Sequence, residues 1–378
     1  MAGRRGRKSN GEGSIRQRAN GLWEARITLP GGNPKSFYAK KKEDALRKQR
    51  QAQHAIDRGL PVLSDERQTL DAFLTSWLEG IRPPQVRPKT YRTYEQLMRV
   101  HVIPSLGRVR LAKLAPQQLQ ALYAERLASG RSPTTVRHIH AVLHVALEQA
   151  VRWNLVARNV ADLVDAPRMR RTEMLVLNAE QARAFLAVAQ GDRLEALYVA
   201  ALTTGMREGE LLALRWRDVD LDAGHVQVRN TLQKLPGQPP VIAPAKTNYS
   251  HRKITLSTTA LEALRAHRVR QNAERLAMGP VWEDWELVFC TTIGTPLSGK
   301  NLLERGLRPL LKRATLPPLR FHDLRHTCAT LLLLQEVHPK IVSEMLGHSS
   351  VAITLQVYSH VLPDMQKQAR AAMDRLVR

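Results

Sequence analysis

The sequence predicts a multidomain protein, predominantly α-helical with small antiparallel β-sheets, and three observations carry that expectation. The chain has 378 residues, more than one domain usually holds. Two polar, proline-containing breaks divide it, near residues 58–68 and 165–173. Between them apolar residues recur only at helical steps, whereas the flanking segments also contain short strand-like runs. The expected organisation is a basic three-stranded sheet with a helix over 1–62, a helical domain over 67–166, and a mixed α+β domain over 174–378.

In the first segment 13–18, 22–29 and 35–39 read as strands, with Pro30, Gly31, Gly32 and Asn33 turning the chain between the last two. A helix over 41–57 presents Ala45, Ala52, Ala55 and Ile56 to that sheet. Trp23, Phe37 and Tyr38 could contact bases, but in so small a sheet the core is the expected place for them. In the second segment Val136, Ile139, Val142, Leu143, Ala146, Leu147, Ala150 and Val151 line one face of a last helix. Earlier helices are expected over 70–80, 88–102 and 116–129, the latter two opened by Pro88 and Pro116. In the third, Asn178 caps a helix over 179–189 with Gln181 completing a capping box. A second apolar helix over 194–202 ends at Thr203, Thr204 and Gly205, and another runs through 211–214. Residues 225–228, 241–242 and 253–256 then read as strands of one small antiparallel sheet, and helices dominate the remainder.

Charge narrows the class. Lys and Arg number 58 against 34 Asp and Glu, a net +24, and residues 1–60 alone hold 15 basic against 5 acidic side chains. A polyanion is the natural partner, and at this length nucleic acid is the expected one. A ribosomal-type or membrane-surface basic protein is the alternative, but no apolar run, Leu331 to Leu334 included, comes near a membrane span. The basic start has no apolar stretch after it and reads as a solvated arm, which places the chain in the cytoplasm. Cys290 and Cys328 are too few for a disulfide framework.

Two motifs mislead. Gly294 to Lys300 has the spacing of a phosphate-binding loop, but Asn301 stands where a Mg²⁺-holding hydroxyl is needed and Pro296 removes a cradling amide. His322 and His326, four apart, could pair on a metal, but Arg325 beside them disfavours a cation and no third ligand is specified. No cofactor and no metal are expected.

Arg207, Lys246, His322, Arg325, His348 and Tyr358 are types suited to one phosphodiester. Singly, each also fits a surface charge or structural ion pair. Their contexts distinguish them: Thr204-Gly-Met-Arg207-Glu-Gly-Glu210-Leu, His322-Asp-Leu-Arg325-His-Thr, Leu346-Gly-His348-Ser-Ser and Tyr358-Ser-His-Val. In these runs, spread in order over about 175–360, the chain resembles the tyrosine recombinases, the phage integrase family. The helical segment is similar to that family's core-binding, SAM-like domain and the basic segment to its arm-binding domains.

The resemblance implies a catalytic domain over 174–378 in which Tyr358 attacks a phosphodiester and leaves a 3′-phosphotyrosyl link. Arg207 and Arg325 would clamp the non-bridging oxygens, since a guanidinium is planar, bidentate and always charged. By the same resemblance His322 accepts the tyrosine proton, Lys246 protonates the leaving 5′ oxygen, and His348 donates to the phosphate. Lys234 and Lys253 compete with Lys246 for its role. Glu210, one turn beyond Arg207, would support it. The implied partners are double-stranded DNA at attachment sites and a homotetramer, with an accessory DNA-bending protein and an excisionase as further candidates, in a nucleoid-associated protein. Ala372, Met373, Leu376 and Val377 line one side of a terminal helix that could dock on a neighbouring subunit or pack on its own domain. A type IB topoisomerase, with a similar residue set, and a non-catalytic DNA-binding protein are the alternatives. A suicide substrate that traps covalent DNA separates the non-catalytic alternative from the rest.

Overall fold

The computed structural model describes residues 14–28, 34–57, 67–169, 174–234, 237–244 and 251–358, and in the tail 370, 373–375 and 377. The expected turn from Pro30 to Asn33, Lys246, Ala372 and Leu376 lie outside them. The chain forms two compact units, 1–171 and 172–378.

The first unit opens with an antiparallel sheet in the order β1 (Ser14–Gln17), β2 (Trp23–Thr28), β3 (Pro34–Ala39), followed by α1 (Lys42–Asp57). Strand alternation sends Ala25 and Ile27 to the side of Ala45 and Ala52, and all four are buried. Trp23 and Phe37 share the phase of Ala25 and are partly buried, as expected of core aromatics. Tyr38 is not core. It pairs with Glu24 on the other face, is 43% exposed, and lies under the Arg18 guanidinium, 5.3 Å from ring centroid to Cζ. There Glu24, only 2% exposed, accepts from Arg16, Arg18 and Tyr38 at 2.7 to 3.0 Å. The arginine Arg18 and its fellow cation Arg16 hold the Glu24 carboxyl well below the ordinary range.

The helices of this unit are α2 (Leu70–Gly80), α3 (Pro88–Leu97), α4 (Ile103–Leu106), α5 (Pro116–Ala128) and α6 (Pro133–Arg152). Between α3 and α4, Met98–Val102 forms a π-helical turn in which the Ile103 amide donates to the Met98 carbonyl. Pro104 lacks the N–H that would continue the α pattern, and the wider turn accommodates it, so the predicted helix runs on to Leu106. On α6 Val136, Ile139, Val142, Leu143, Ala146, Leu147 and Ala150 are buried in one core with Leu70, Phe73, Leu74 and Trp77 of α2 and Leu119 and Leu122 of α5, while Val151 at the end of the face is half-buried.

In the second unit α7 (Ala179–Ala189) starts at the predicted capping box, with Asn178 accepting from the Gln181 amide at 2.8 Å and Gln181 accepting in return at 3.0 Å. Then come α8 (Glu195–Thr204), α9 (Glu208–Leu211), β4 (Val219–Asp220), β5 (His225–Val228), β6 (Asn230–Gln233), β7 (Val241–Pro244) and β8 (Arg252–Thr255). The helix expected over 211–214 begins earlier and stops at Leu211, because Leu214 accepts from the Val288 amide and Arg215 bridges Leu287 in extended form. The strands also divide differently: β4, β5 and β8 form one sheet, while β7 pairs with β6 in a separate hairpin. A short hairpin through Gly237, at φ 71°, closes with less chain entropy than a long-range pairing.

The rest is helical: α10 (Thr258–Met278), α11 (Gly299–Asn301), α12 (Arg308–Arg313), α13 (Phe321–Leu334), α14 (Pro339–Leu346) and α15 (Val351–Tyr358). The apolar α8 is buried along most of its length among the residues of α7, α10 and α13, which places its C-terminal end inside the unit. Among the described residues no helix is long and apolar enough to cross a membrane.

Candidate active site

Gly205 ends α8 in the left-handed region, φ 59° and ψ 21°, and a Cβ there would come within 2.5 Å of Leu346 Cδ2 and 3.3 Å of Cys328 Sγ. Glycine lets α8, α13 and α14 meet. Two residues on, Arg207 caps α9: Glu210 Oε2 accepts its amide at 2.9 Å and Glu210 Oε1 its Nη1 at 2.7 Å. The Arg207 Nη2 donates to the Gly347 carbonyl at 3.0 Å, while 37% of the side chain stays exposed for an anion.

α13 carries His322 and Arg325. Asp323, buried, accepts the Arg320 amide at 2.8 Å and so caps the helix start. Arg325 is 3% exposed and donates through Nη1 to the Gly205 carbonyl at 2.8 Å. His326, one turn after His322, packs edge-on against it with ring centroids 4.9 Å apart. Among the described residues no group of three His, Cys, Asp or Glu is placed to hold a metal ion.

α14 ends in a left-handed Gly347, φ 69°, whose amide donates to Glu344, while the His348 amide donates back to Ser343 at 3.0 Å. That turn sets His348, whose Nδ1 lies 2.8 Å from the buried Thr354 Oγ1 of α15. If the threonine hydroxyl donates, Nε2 carries the hydrogen and can donate to a phosphate. Tyr358 closes α15, one turn after Thr354.

Electrostatics tie these residues together. Burial brings the His322 imidazole down to about 4, with His326, Arg325 and Arg207 adding their charges. Burial likewise brings His348 to about 4, with the charges of Arg325, Arg207, His326 and Arg252 adding to it. Both values lie below the 6.5 of a free imidazole. The unfolded chain therefore takes up more protons between about 6.5 and 4, and stability falls as pH drops through that window. In DNA-free protein the Hε1 resonances of His322 and His348 are expected to keep neutral positions from about pH 8 to about 5. A titration midpoint near 6.5 for both would contradict this.

Arg207, His322, Arg325 and His348 thus come together, with Glu210 beneath Arg207. Lys246 lies outside the described residues. Lys234 is exposed, and so is Lys253, which alternates with the buried Arg252 and Ile254 on β8. Sequence reasoning missed Thr354 and Arg252. Thr354 could have been noticed as a hydroxyl in the apolar run from Val351, and Arg252 as a charge in phase with Ile254. The phosphate-loop mimic begins in a turn closed by Thr291 and Thr295 and ends in α11, where the Glu208 carboxylate lies so that a Cβ on Gly299 would collide with it. Burial pushes the Cys328 thiol up to about 12, far from a reactive thiolate.

Residues 175–365 match the phage integrase family, and 69–127 match the phage integrase N-terminal SAM-like domain. An integrase of Streptomyces ambofaciens is 30% identical over 392 residues, covering 97% of this chain and 97% of that protein. A XerC-like tyrosine recombinase of Caldanaerobacter subterraneus subsp. tengcongensis is 29% identical over 369 residues, covering 90% and 92%. A solved structure of the Tn1549 transposon integrase in complex with transposon right end DNA has the same fold, with a TM-score of 0.69 at 23% identity over 82% of this chain and 100% of that one.

Proposed function

The chain belongs to the phage integrase family, and from that premise we propose that Tyr358 is the nucleophile with which it breaks and rejoins DNA. It is a site-specific DNA recombinase of the tyrosine type, acting in the integration of mobile elements. The observation that supports the residue assignment is the convergence of two guanidiniums, from the start of α9 and from α13, with two imidazoles, from α13 and the turn after α14, at the meeting of α8, α13 and α14.

In the proposed reaction the Tyr358 Oη attacks phosphorus and passes its proton to His322, whose lowered pKa keeps it free to accept one. Arg207 and Arg325 hold the non-bridging oxygens as charge collects on them, and His348 donates through Nε2. The P–O5′ bond breaks, Lys246 protonates the leaving oxygen, and the 3′ phosphate stays on the tyrosine. The link keeps the energy of the broken ester, so a DNA hydroxyl can reverse the step. The outward phase of Lys253 on β8 supports Lys246 over that competitor.

The three-part division is also proposed: 1–62 as an arm-type DNA-binding domain, 67–166 as the core-binding domain and 174–378 as the catalytic domain. The Arg16, Arg18 and Tyr38 face around Glu24 suits phosphate contact in the first. Exchange between two duplexes cuts four strands and each chain brings one Tyr358, so a homotetramer on DNA is the working assembly, joined by accessory bending and excision proteins. A nicked attachment-site duplex that loses a short fragment after cleavage tests the reading: incubation with chelator present is expected to accumulate protein–DNA adduct. Binding without any adduct would favour a non-catalytic DNA-binding protein.

A further inference from the structure

Arg252 has no part in the reaction as written, yet it is 8% exposed and in direct contact with its machinery. Its Nη2 donates to Glu210 Oε2 at 2.9 Å and its Nη1 to Oε1 at 3.3 Å. Its Nε donates to the Met345 carbonyl at 2.6 Å. Glu210 also binds the amide and Nη1 of Arg207, and the Nη2 of Arg207 rests on the Gly347 carbonyl. A closed ring results. Two arginines share one buried carboxylate at one end, and at the other they hold the Met345 carbonyl in the last turn of α14, where the helix dipole favours cations, and the Gly347 carbonyl just past it.

The ring has a physical consequence for Arg207. Glu210 is 4% exposed, and a lone guanidinium facing such a carboxylate would be drawn into a bidentate pair. With Arg252 taking both carboxylate oxygens, Arg207 spends one side-chain donor on Glu210 and one on Gly347, and the others remain for an anion. Arg252 also grips the carbonyl two residues before Gly347, so the turn that carries His348 is held from both sides.

We propose that Arg252 is a positioning residue for DNA cleavage: by compensating Glu210 and holding Met345 it fixes Arg207 and the Gly347–His348 turn where the scissile phosphate is received. The proposal rests on the recombinase reading above. It assigns Arg252 to the phosphate side of the reaction, not to the leaving-group side where Lys246 acts.

The test uses the full chain with Arg252→Gln and Arg252→Lys on two nicked duplexes, one ordinary and one with sulfur at the bridging 5′ position, which leaves without a proton. For Arg252→Gln the single-turnover cleavage rate at saturating DNA is expected to fall about 10- to 100-fold, with Kd changed less than about threefold. That loss should persist on the sulfur substrate. Arg252→Lys can reach Glu210 but not Met345 as well, so it should recover part of the rate. If Arg252→Gln does not fold, Arg252→Lys decides, with a loss of about 3- to 10-fold at unchanged Kd. Wild-type rates in a folded variant, equal loss of binding and cleavage, or full recovery on the sulfur substrate would each overturn the proposal. A wild-type chain that forms no adduct would overturn the recombinase reading itself.

Discussion

Tyr358→Phe is expected to eliminate covalent attachment to DNA while changing duplex affinity by less than about twofold, because it removes one hydroxyl and no positive charge from a surface that binds largely through phosphates. Among the described residues Cys328 is held as a thiol by burial, which disfavours it as a substitute nucleophile. Gel electrophoresis of the trapped adduct under denaturing conditions measures attachment, and gel shift measures affinity. Adduct from the Phe variant at more than trace level would remove Tyr358 from its role. The position of Tyr358 at the end of α15 makes its approach depend on how that helix is anchored, and the Thr354 to His348 contact at 2.8 Å is one such anchor.

Arg325→Lys is expected to lower the cleavage rate at least about a hundredfold although the charge is retained. The guanidinium is 3% exposed and donates through Nη1 to the Gly205 carbonyl, a contact that fixes the plane of the group. An ammonium on a flexible stem cannot hold the carbonyl and offer two parallel donors to a phosphate at once. Arg207→Lys should fail in the same way, through loss of the paired contacts to Glu210 and Gly347. Near-normal single-turnover rates for both Lys variants would count against the clamp.

Much of this was legible in the sequence, and the physical reason differs by element. α6 could be read because a helix that buries one face must repeat its apolar residues at steps of three and four, and the seven positions from Val136 to Ala150 do so. α7 could be read because its capping box is a local interaction between Asn178 and Gln181. Of the proposed site residues, Arg207, His322, Arg325 and His348 could be expected to lie together because phosphate chemistry restricts the side-chain types, and two of them follow a left-handed glycine, Gly205 before Arg207 and Gly347 before His348.

The rest depends on distant partners. β6 was missed since Asn230–Gln233 is only partly buried, and its strand character comes from pairing with β7. Tyr38 was misplaced because alternation assigns a face only once the register with Glu24 is known. Arg252 is one of 58 Lys and Arg residues, and only the folded chain puts it on Glu210. Thr354 acquires its meaning when the turn after α14 brings His348 to it.

The most direct test of the central claim is to digest the trapped adduct with nuclease and trypsin and locate the residual nucleotide by tandem mass spectrometry. Cleavage after Lys340 and Lys367 leaves a peptide of residues 341–367 whose single tyrosine is Tyr358. The account predicts a nucleotide 3′-phosphate mass on that tyrosine. The same mass on any other residue, or on no peptide of a chain that cleaves DNA, would contradict it.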